Sequence, residues 1–419
     1  MSTAAPPNAP TLPLPERARL TYRFDRLRAL PQGLIEAAGI TFLLLIATRA
    51  FDADATAKSL IAASGNLGLL LSLWAVPITA HLARPVTHVA ASVMIVGGGA
   101  LFLAAALPSL PMLVMGTLVS MCSANLIIPL VTAAYQSNYP PRERGRYVSR
   151  TLVIRIAVSS LAGEGLGRLL ETDIGLYRLV LVLFGAACWA SAGFLYRIPS
   201  HPLRAVNDQD ATGWAGWMFS AFGALRLVRR DRLLRWMLLS WMLMGFANLM
   251  MFPLRVEYLA NPRYGLSLSP REVALYVLVI PGAIRLLLSP MWGALFDRMN
   301  FFALRIILNF GFALGIAAFF TGRSALGLLL GAVLFGAANA GGEIAWNLWV
   351  TRFAPTDQAA EYMSVHTFLT GVRGVLAPWA GFQLVQHLEI GGVAWMAAGL
   401  IVLASLMLVP EMRGHYNRP

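Results

Sequence analysis

Stretches of about 20 mostly apolar residues recur along this chain, and they restrict its fold more than any other feature. Nothing in the hydrocarbon of a bilayer can hydrogen-bond a bare amide, so a segment of that length crosses it as a helix. Twelve segments qualify, at residues 31–51, 59–82, 86–107, 111–135, 147–170, 174–196, 236–258, 272–296, 301–321, 324–353, 361–386 and 390–409. With 58% hydrophobic and 13% charged residues, the chain is far more apolar than a soluble domain. The expected fold is an all-α membrane protein of twelve transmembrane helices. The eighth and tenth spans are long and interrupted by glycine, which predicts tilt or local bending.

A net charge of +13 does not by itself indicate nucleic acid. That partner needs basic residues clustered on one surface with aromatic or polar readers, whereas here they fill the short gaps between apolar runs. Lys58 is the only lysine. Most of the 33 basic residues fall on the side that holds both chain ends, which predicts cytoplasmic N- and C-termini in the cell inner membrane. Residues 1–22 read as a disordered cytoplasmic tail, 197–228 as a cytoplasmic linker and 411–419 as a second tail. The stretch FGALRLVRRDRLLRW (222–236) reads as a basic amphipathic helix on the anionic leaflet. Cys122 and Cys188 lie inside apolar runs with no metal-ligand spacing around them, so disulfide, metal and cofactor are not expected. The chain has no phosphate-binding GxxxxGK motif and no HExxH, and its loops are too short for a catalytic domain, so it does not read as an enzyme or an ATP-driven pump.

The phrase RFDRL (23–27) precedes the first span and RRDRL (229–233) precedes the seventh. Arg23, Asp25, Arg26, Leu27, Gly39 and Arg49 align in order with Arg229, Asp231, Arg232, Leu233, Gly245 and Arg255. GNLGLLLS (65–72) falls on GAIRLLLS (282–289), and Gly116, Pro140, Tyr147 and Ser149 fall on Gly331, Pro355, Tyr362 and Ser364. The largest drift in offset lies in the loop LANPRYGLSLSP (259–270). This order predicts a duplication into two bundles, 23–196 and 229–410, of six spans each. Two parallel repeats with both ends on one side suit rocking about a central site.

Three local motifs add a resemblance. GALFDR (293–298) has a Gly-x-x-x-Asp-Arg pattern after span eight, YPPRERGR (139–146) is a basic loop after span four, and GVRGVLAPWAG (371–381) has a Gly and Pro pattern in span eleven. With the topology, they make the chain resemble the major facilitator superfamily of secondary transporters over about residues 23–409. The resemblance implies that Gly293, Asp297 and Arg298 form a gate on the inner side, and that spans three, six, nine and twelve support the others from outside. Departures exist: Asn300, Phe301 and Phe302 stand where the family continues with Gly and basic residues. The first-half copy, AHLARP (80–85), has no acid, span four has no arginine, and GEGLG (163–167) replaces the antiporter Gly-Pro pair. These residues do not spell the family's usual proton-antiport arrangement.

An ionisable side chain inside a span costs several kcal/mol unless it is paired or hydrated. Six lie well inside: Glu36, Arg155, Glu164, Arg285, Glu343 and Arg373. None is in spans three, six, nine or twelve. Arg285 and Arg373 fall near the bilayer middle and could hold a carboxylate or phosphate between them, or else be neutralised by acids of neighbouring helices. Glu343, in ANAGGEIAWNLW (338–349), reads as a proton-coupling carboxylate or as a local hydrogen-bond partner of Asn347. Glu36 has the same proton-coupling logic nearer the cytoplasmic end. Glu164 can pair with Arg168 one turn on, and Arg155 can snorkel, so both read as interdomain or structural charges. Asn248, Asn339 and Trp346 are candidates for lining a substrate pocket, or for interhelical contacts. His366 reads as a structural histidine.

Together these readings predict a secondary transporter moving a small anionic or zwitterionic solute by alternating access. Its partners would be that solute, the lipid bilayer and protons or another coupling ion, and the expected state is a monomer without nucleic acid. A multidrug efflux transporter and a lipid flippase or lipid-modifying protein on the same fold are the alternative readings.

Overall fold

A computed structural model describes residues 12–140, 142–203, 225–321, 324–354 and 359–413. Most of the expected linker, part of 222–236, Pro141 of the basic loop and the extreme termini lie outside these residues. Among the described residues the chain is helical, apart from one isolated antiparallel bridge between Pro85 and Pro202.

Among the described residues nine helices are long and apolar enough to cross a membrane, and up to ten if the bent Ala55–His81 is one span. Two more helices of similar length but more polar sequence, Arg144–Thr172 and Ala359–His387, complete the twelve expected from the apolar runs. They are α1 (Leu14–Ala50), α2 (Ala55–His81), α3 (Val86–Ala106), α4 (Leu110–Asn138), α5 (Arg144–Thr172) and α6 (Ile174–Tyr196), then α7 (Arg232–Ala260), α8 (Pro270–Arg298), α9 (Phe301–Thr321), α10 (Ala325–Leu348), α11 (Ala359–His387) and α12 (Ile390–Leu406).

One boundary differs clearly from expectation. The first helix is already formed at Leu14, well inside the segment read as disordered, because Pro13 and Pro15 set the first turn and Glu16 complements its exposed amides. Of the two spans expected to bend, α8 contains a π-helical turn at Leu275–Val279, while α10 continues as α-helix to Leu348. Another π-turn, Ala38–Phe42, interrupts α1. The sharpest bend is instead in α2, 55° between Ser72 and Trp74. Pro77 explains it: a proline lacks the amide that would bond the carbonyl four residues back, at Leu73, and its ring crowds that carbonyl.

The packing repeats itself after six helices. In the first bundle α1 touches α5 and α6, α2 touches α4, and α3 touches α4 and α6; in the second, α7 touches α11 and α12, α8 touches α10, and α9 touches α10 and α12. The bundles meet through α2 against α11, α5 against α8 and α1 against α7. The first two contacts exchange under the same six-helix shift, as a twofold axis between two copies requires.

Small residues make these crossings close. A Cβ on Gly371 would lie 2.8 Å from the Leu70 backbone nitrogen, and one on Gly167 would lie 2.8 Å from the Arg271 Cα. The equivalent aspartates of the two copies also bond alike: Asp25 accepts from the Tyr135 hydroxyl, and Asp231 from the Tyr362 hydroxyl at 2.7 Å.

Candidate functional site

Four of the six intramembrane charges meet on the seam between the bundles. Arg285 of α8 donates from Nη1 to Glu36 Oε1 of α1 at 3.1 Å and from Nε to Glu343 Oε2 of α10 at 2.9 Å. Its Nη2 is 2.6 Å from that same Glu343 oxygen. The other oxygen of Glu36 lies 2.7 Å from Arg155 Nε of α5, an ion pair without hydrogen-bond alignment, since that Nε has no hydrogen-bond partner.

Acid and base thus alternate, Arg155, Glu36, Arg285, Glu343, and the charges cancel. The geometry divides them further. Arg155 and Glu36 belong to the first bundle, Arg285 and Glu343 to the second, so each bundle carries one internally neutral pair. Only the bond from Arg285 to Glu36 crosses the seam. Arg285 is the most buried of the four, where a charge stripped of water demands such partners.

The local alternative for Glu343 takes a different form from the one expected. Asn347 does bond back to residue 343, but its Nδ2 donates to the backbone carbonyl at 2.8 Å and leaves the carboxylate to Arg285.

Arg373 is not brought to this group. It is buried among α7 and α11, donating from Nη1 to the Trp241 carbonyl and from Nη2 to Thr370 Oγ1 at 3.2 Å, with Nε unpaired. The face of α11 that carries Gly371 and Gly374 packs on Leu70 and Asn66 of α2, and Arg373 lies on another face, turned into its own bundle. The expected joining of two arginines around one ligand is therefore absent from this conformation. His366 is fixed nearby, its Nδ1 accepting from Trp349 Nε1 at 3.0 Å. Trp346 packs against it with ring centroids 5.6 Å apart.

Glu164 accepts from Arg168 Nε at 2.7 Å, as the one-turn spacing predicts, and also from Arg271 Nε of α8 at 2.8 Å, which ties the two bundles. Asp297 and Arg298 are exposed and form no ion pair or hydrogen bond among the described residues. A Cβ on Gly293 would meet nothing within 4 Å.

Among the described residues two cavities lie in this region, of which the first borders the charge group. One lies between the bundles, lined by Glu36, Ser159, Ser160, Arg285 and Asn339, and the other lies among α7, α9 and α10, lined by Asn248, Met251, Ile316, Phe319 and Phe320. Phe252, Arg255 and Phe335 line both. Asn248 and Asn339 thus each line one of these cavities.

Sequence reasoning passed over three charged residues near the ends of spans two and seven. Lys58 Nζ is 3.0 Å from Glu257 Oε1 and 2.9 Å from Oε2, across the seam, with both residues buried. Glu257 also accepts from Asn261 Nδ2 at 2.7 Å and from Thr48 Oγ1 at 3.4 Å. Arg49 Nη2 reaches the Leu268 carbonyl at 2.7 Å beside them. Arg255 is 3% exposed, and its two Nη atoms have no partner.

Near a helix end, such residues read as snorkelling to water. The loop after α7 folds back so that the Leu268 amide bonds the Leu259 carbonyl at 2.9 Å and Asn261 bonds Glu257, while the rings of Phe252 and Phe335 cover Arg255. The signal was the alignment of Arg255 with Arg49, which marked the position without giving its depth.

Comparison with known proteins follows the same lines. A family model described as Major Facilitator Superfamily matches residues 32–378. No curated protein matches the chain by sequence. Among solved structures, the nucleoside transporter NupG is similar with a TM-score of 0.73 at 14% identity, over 94% of this chain and 99% of that one. A POT family transporter in complex with a thioalcohol-conjugated peptide gives 0.69 at 14% identity, over 95% and 96%. The inward-open xylose transporter XylE from E. coli gives 0.62 at 15% identity, over 94% and 96%. At these identities the likeness is one of fold.

Proposed function

Because this chain belongs to the Major Facilitator Superfamily, we propose that it is a secondary transporter that carries a small anionic or zwitterionic solute by alternating access. Family membership makes it a transporter rather than an enzyme, in a multi-pass membrane fold. The basic residues on the side of the chain ends support an orientation with both termini in the cytoplasm of the cell that holds it.

The observation that carries this reading is the alternating charge group on the seam. Rocking that parts α1 from α8 breaks a single bond, Arg285 to Glu36. Glu36 then keeps Arg155 and Arg285 keeps Glu343, so neither bundle is left with a bare charge, the costly outcome in a low-dielectric interior. At mid-span the seam is thus strong enough to hold and cheap enough to open, whereas the buried Lys58–Glu257 pair is the costlier contact to part.

Protonation of Glu343 would remove one of the two acids that share Arg285. The freed guanidinium then binds Glu36 more tightly or turns to an anionic solute, so a proton changes how firmly the bundles are joined. In this reading Glu343 couples transport to protons, Glu36 supports it, and Arg285 alternates between acid partners and solute. Arg373 serves the solute indirectly, by fixing α7 to α11.

The polar bonds that join the bundles gather at mid-span and at the end away from the termini: Arg285–Glu36, Arg271–Glu164, Lys58–Glu257 and Arg49–Leu268. Asp297 and Arg298, at the end that holds the termini, have no ion pair or hydrogen bond among the described residues. This pattern supports an inward-open state in which the inner gate of Gly293, Asp297 and Arg298 is disengaged.

The test is uptake into proteoliposomes against external pH. Glu343→Gln is expected to flatten the pH dependence while solute exchange continues, and Arg285→Ala to abolish uptake. An unchanged pH profile in the first variant removes the proton role, and wild-type rates in the second remove Arg285 from the mechanism.

A further inference from the structure

Among the described residues, Arg255 holds the one buried guanidinium on the wall of both cavities that has no acid to answer it. It is 3% exposed. Its Nε donates to the Phe252 carbonyl at 3.3 Å, and both Nη atoms are without a partner. The nearby acids are engaged: Glu257 with Lys58, and Glu36 with Arg155 and Arg285. In the aligned position of the first bundle, Arg49 bonds a backbone carbonyl. Arg255 has only the Nε bond to Phe252 and nothing for either Nη, and an unanswered buried charge is expensive enough to call for a use.

Its surroundings restrict what could answer it. The guanidinium carbon lies 3.7 Å from the ring centroid of Phe335 and 4.5 Å from that of Phe252. These rings occupy the space a ligand would need to stack on the guanidinium, and cation–π contact does not satisfy N–H donors. A partner must come in the guanidinium plane, where the two Nη atoms match the two oxygens of a carboxylate.

Among the described residues the other cation lining these cavities, Arg285, is shared by Glu36 and Glu343, so Arg255 alone does not balance a dianion. The rest of the lining among α7, α9 and α10 is apolar, with Met251, Ile316, Phe319 and Phe320, and matches a hydrocarbon body in chemistry once the cleft widens. One further polar atom is unsatisfied: Asn248 Oδ1 is buried without a donor, two helical turns before Arg255 and on the wall of the same cavity.

We propose that Arg255 is the carboxylate-binding residue of the transport site, and that the solute is a monocarboxylate with an apolar body and a hydroxyl or amine that donates to Asn248. This rests on the reading of the chain as a carrier of an anion or zwitterion, and names its class. The carboxylate enters as the cleft hydrates and closes on the two Nη atoms. The solute supplies the counter-charge that the protein withholds, so the site is electrically complete only when loaded.

The experiment uses the full-length protein in detergent and in proteoliposomes, with three probes: 2-hydroxy-4-methylpentanoate, its neutral amide and inorganic phosphate. The carboxylate is expected to raise the thermal unfolding midpoint, and the amide and phosphate to bind at least about tenfold more weakly, the margin of one charge-assisted hydrogen bond. Arg255→Lys keeps the charge but loses the planar fork, and is expected to raise the KM for carboxylate uptake by about tenfold or more.

Asn248→Asp places an anion on the same wall without touching Arg255. It is expected to weaken carboxylate binding likewise, so the proposal stays testable if the lysine variant does not fold. Equal binding of acid and amide, no binding of the acid, or an unchanged KM in a folded Arg255→Lys or Asn248→Asp protein overturns the proposal. If uptake of labelled anions or zwitterions persists in those cases, the transporter reading stands without it; if no such solute is carried at all, that reading falls as well.

Discussion

At the scale of residues, the account turns on which charges have partners. Lys58 and Glu257 form the most enclosed ion pair between the bundles, at 5% and 4% exposure. Removing one member of such a pair strands the other in low dielectric, at about 3–5 kcal/mol, whereas replacing both with apolar residues is often close to neutral. Lys58→Met and Glu257→Met are therefore each expected to lower the unfolding midpoint strongly. The double variant should recover much of the loss, though not all, since Thr48 and Asn261 also donate to Glu257. Additive losses in a double-mutant cycle would show that the two residues act separately.

The sequence disclosed this layer unevenly. Glu36, Arg155, Arg285 and Glu343 were legible because a charge deep in an apolar run has few explanations. Their mutual pairing was open, because helix neighbours and rotation are not written in the run itself. Arg373 was legible as buried but not as turned away from Arg285. Lys58, Arg255 and Glu257 were hidden by their nearness to span ends, where burial depends on what packs there from elsewhere.

At the scale of elements, close helix crossings decide how the bundles touch. Gly371 faces the backbone of α2, and a methyl group there would sit 2.8 Å from the Leu70 nitrogen, closer than packed atoms come. Overpacking of this kind costs about 1–3 kcal/mol. Gly371→Ala should lower the unfolding midpoint and slow transport, because α2 and α11 must separate or slide. Gly193→Ala, on α6 with nothing within 4 Å of the added carbon, should be neutral or slightly stabilising through its helix propensity. Equal effects of the two substitutions would contradict the packing argument.

The twelve rods were readable from the length of the apolar runs, and the bend in α2 could have been read from Pro77. The π-turns in α1 and α8 could not, since a wide turn depends on tertiary packing rather than on any residue type.

At the scale of the whole molecule, the repeat found in the sequence reappears as a repeat of neighbours, helix for helix, and the two copies enclose the charge group and the cavity beside it. A secondary transporter needs two stable arrangements of these bundles and a solute that favours passage between them. The charge exchange at Arg285 lets the mid-span part of the seam open without stranding a charge, and the proposed role of Arg255 is to offer the vacancy that a solute fills.

The most direct measurement is uptake of labelled small carboxylates, amino acids and neutral analogues into proteoliposomes, with and without an imposed pH gradient. The account predicts saturable uptake of an anionic or zwitterionic solute that the gradient drives above its equilibrium level. Movement of neutral analogues alone, or transfer of lipid between leaflets without any solute uptake, would contradict it.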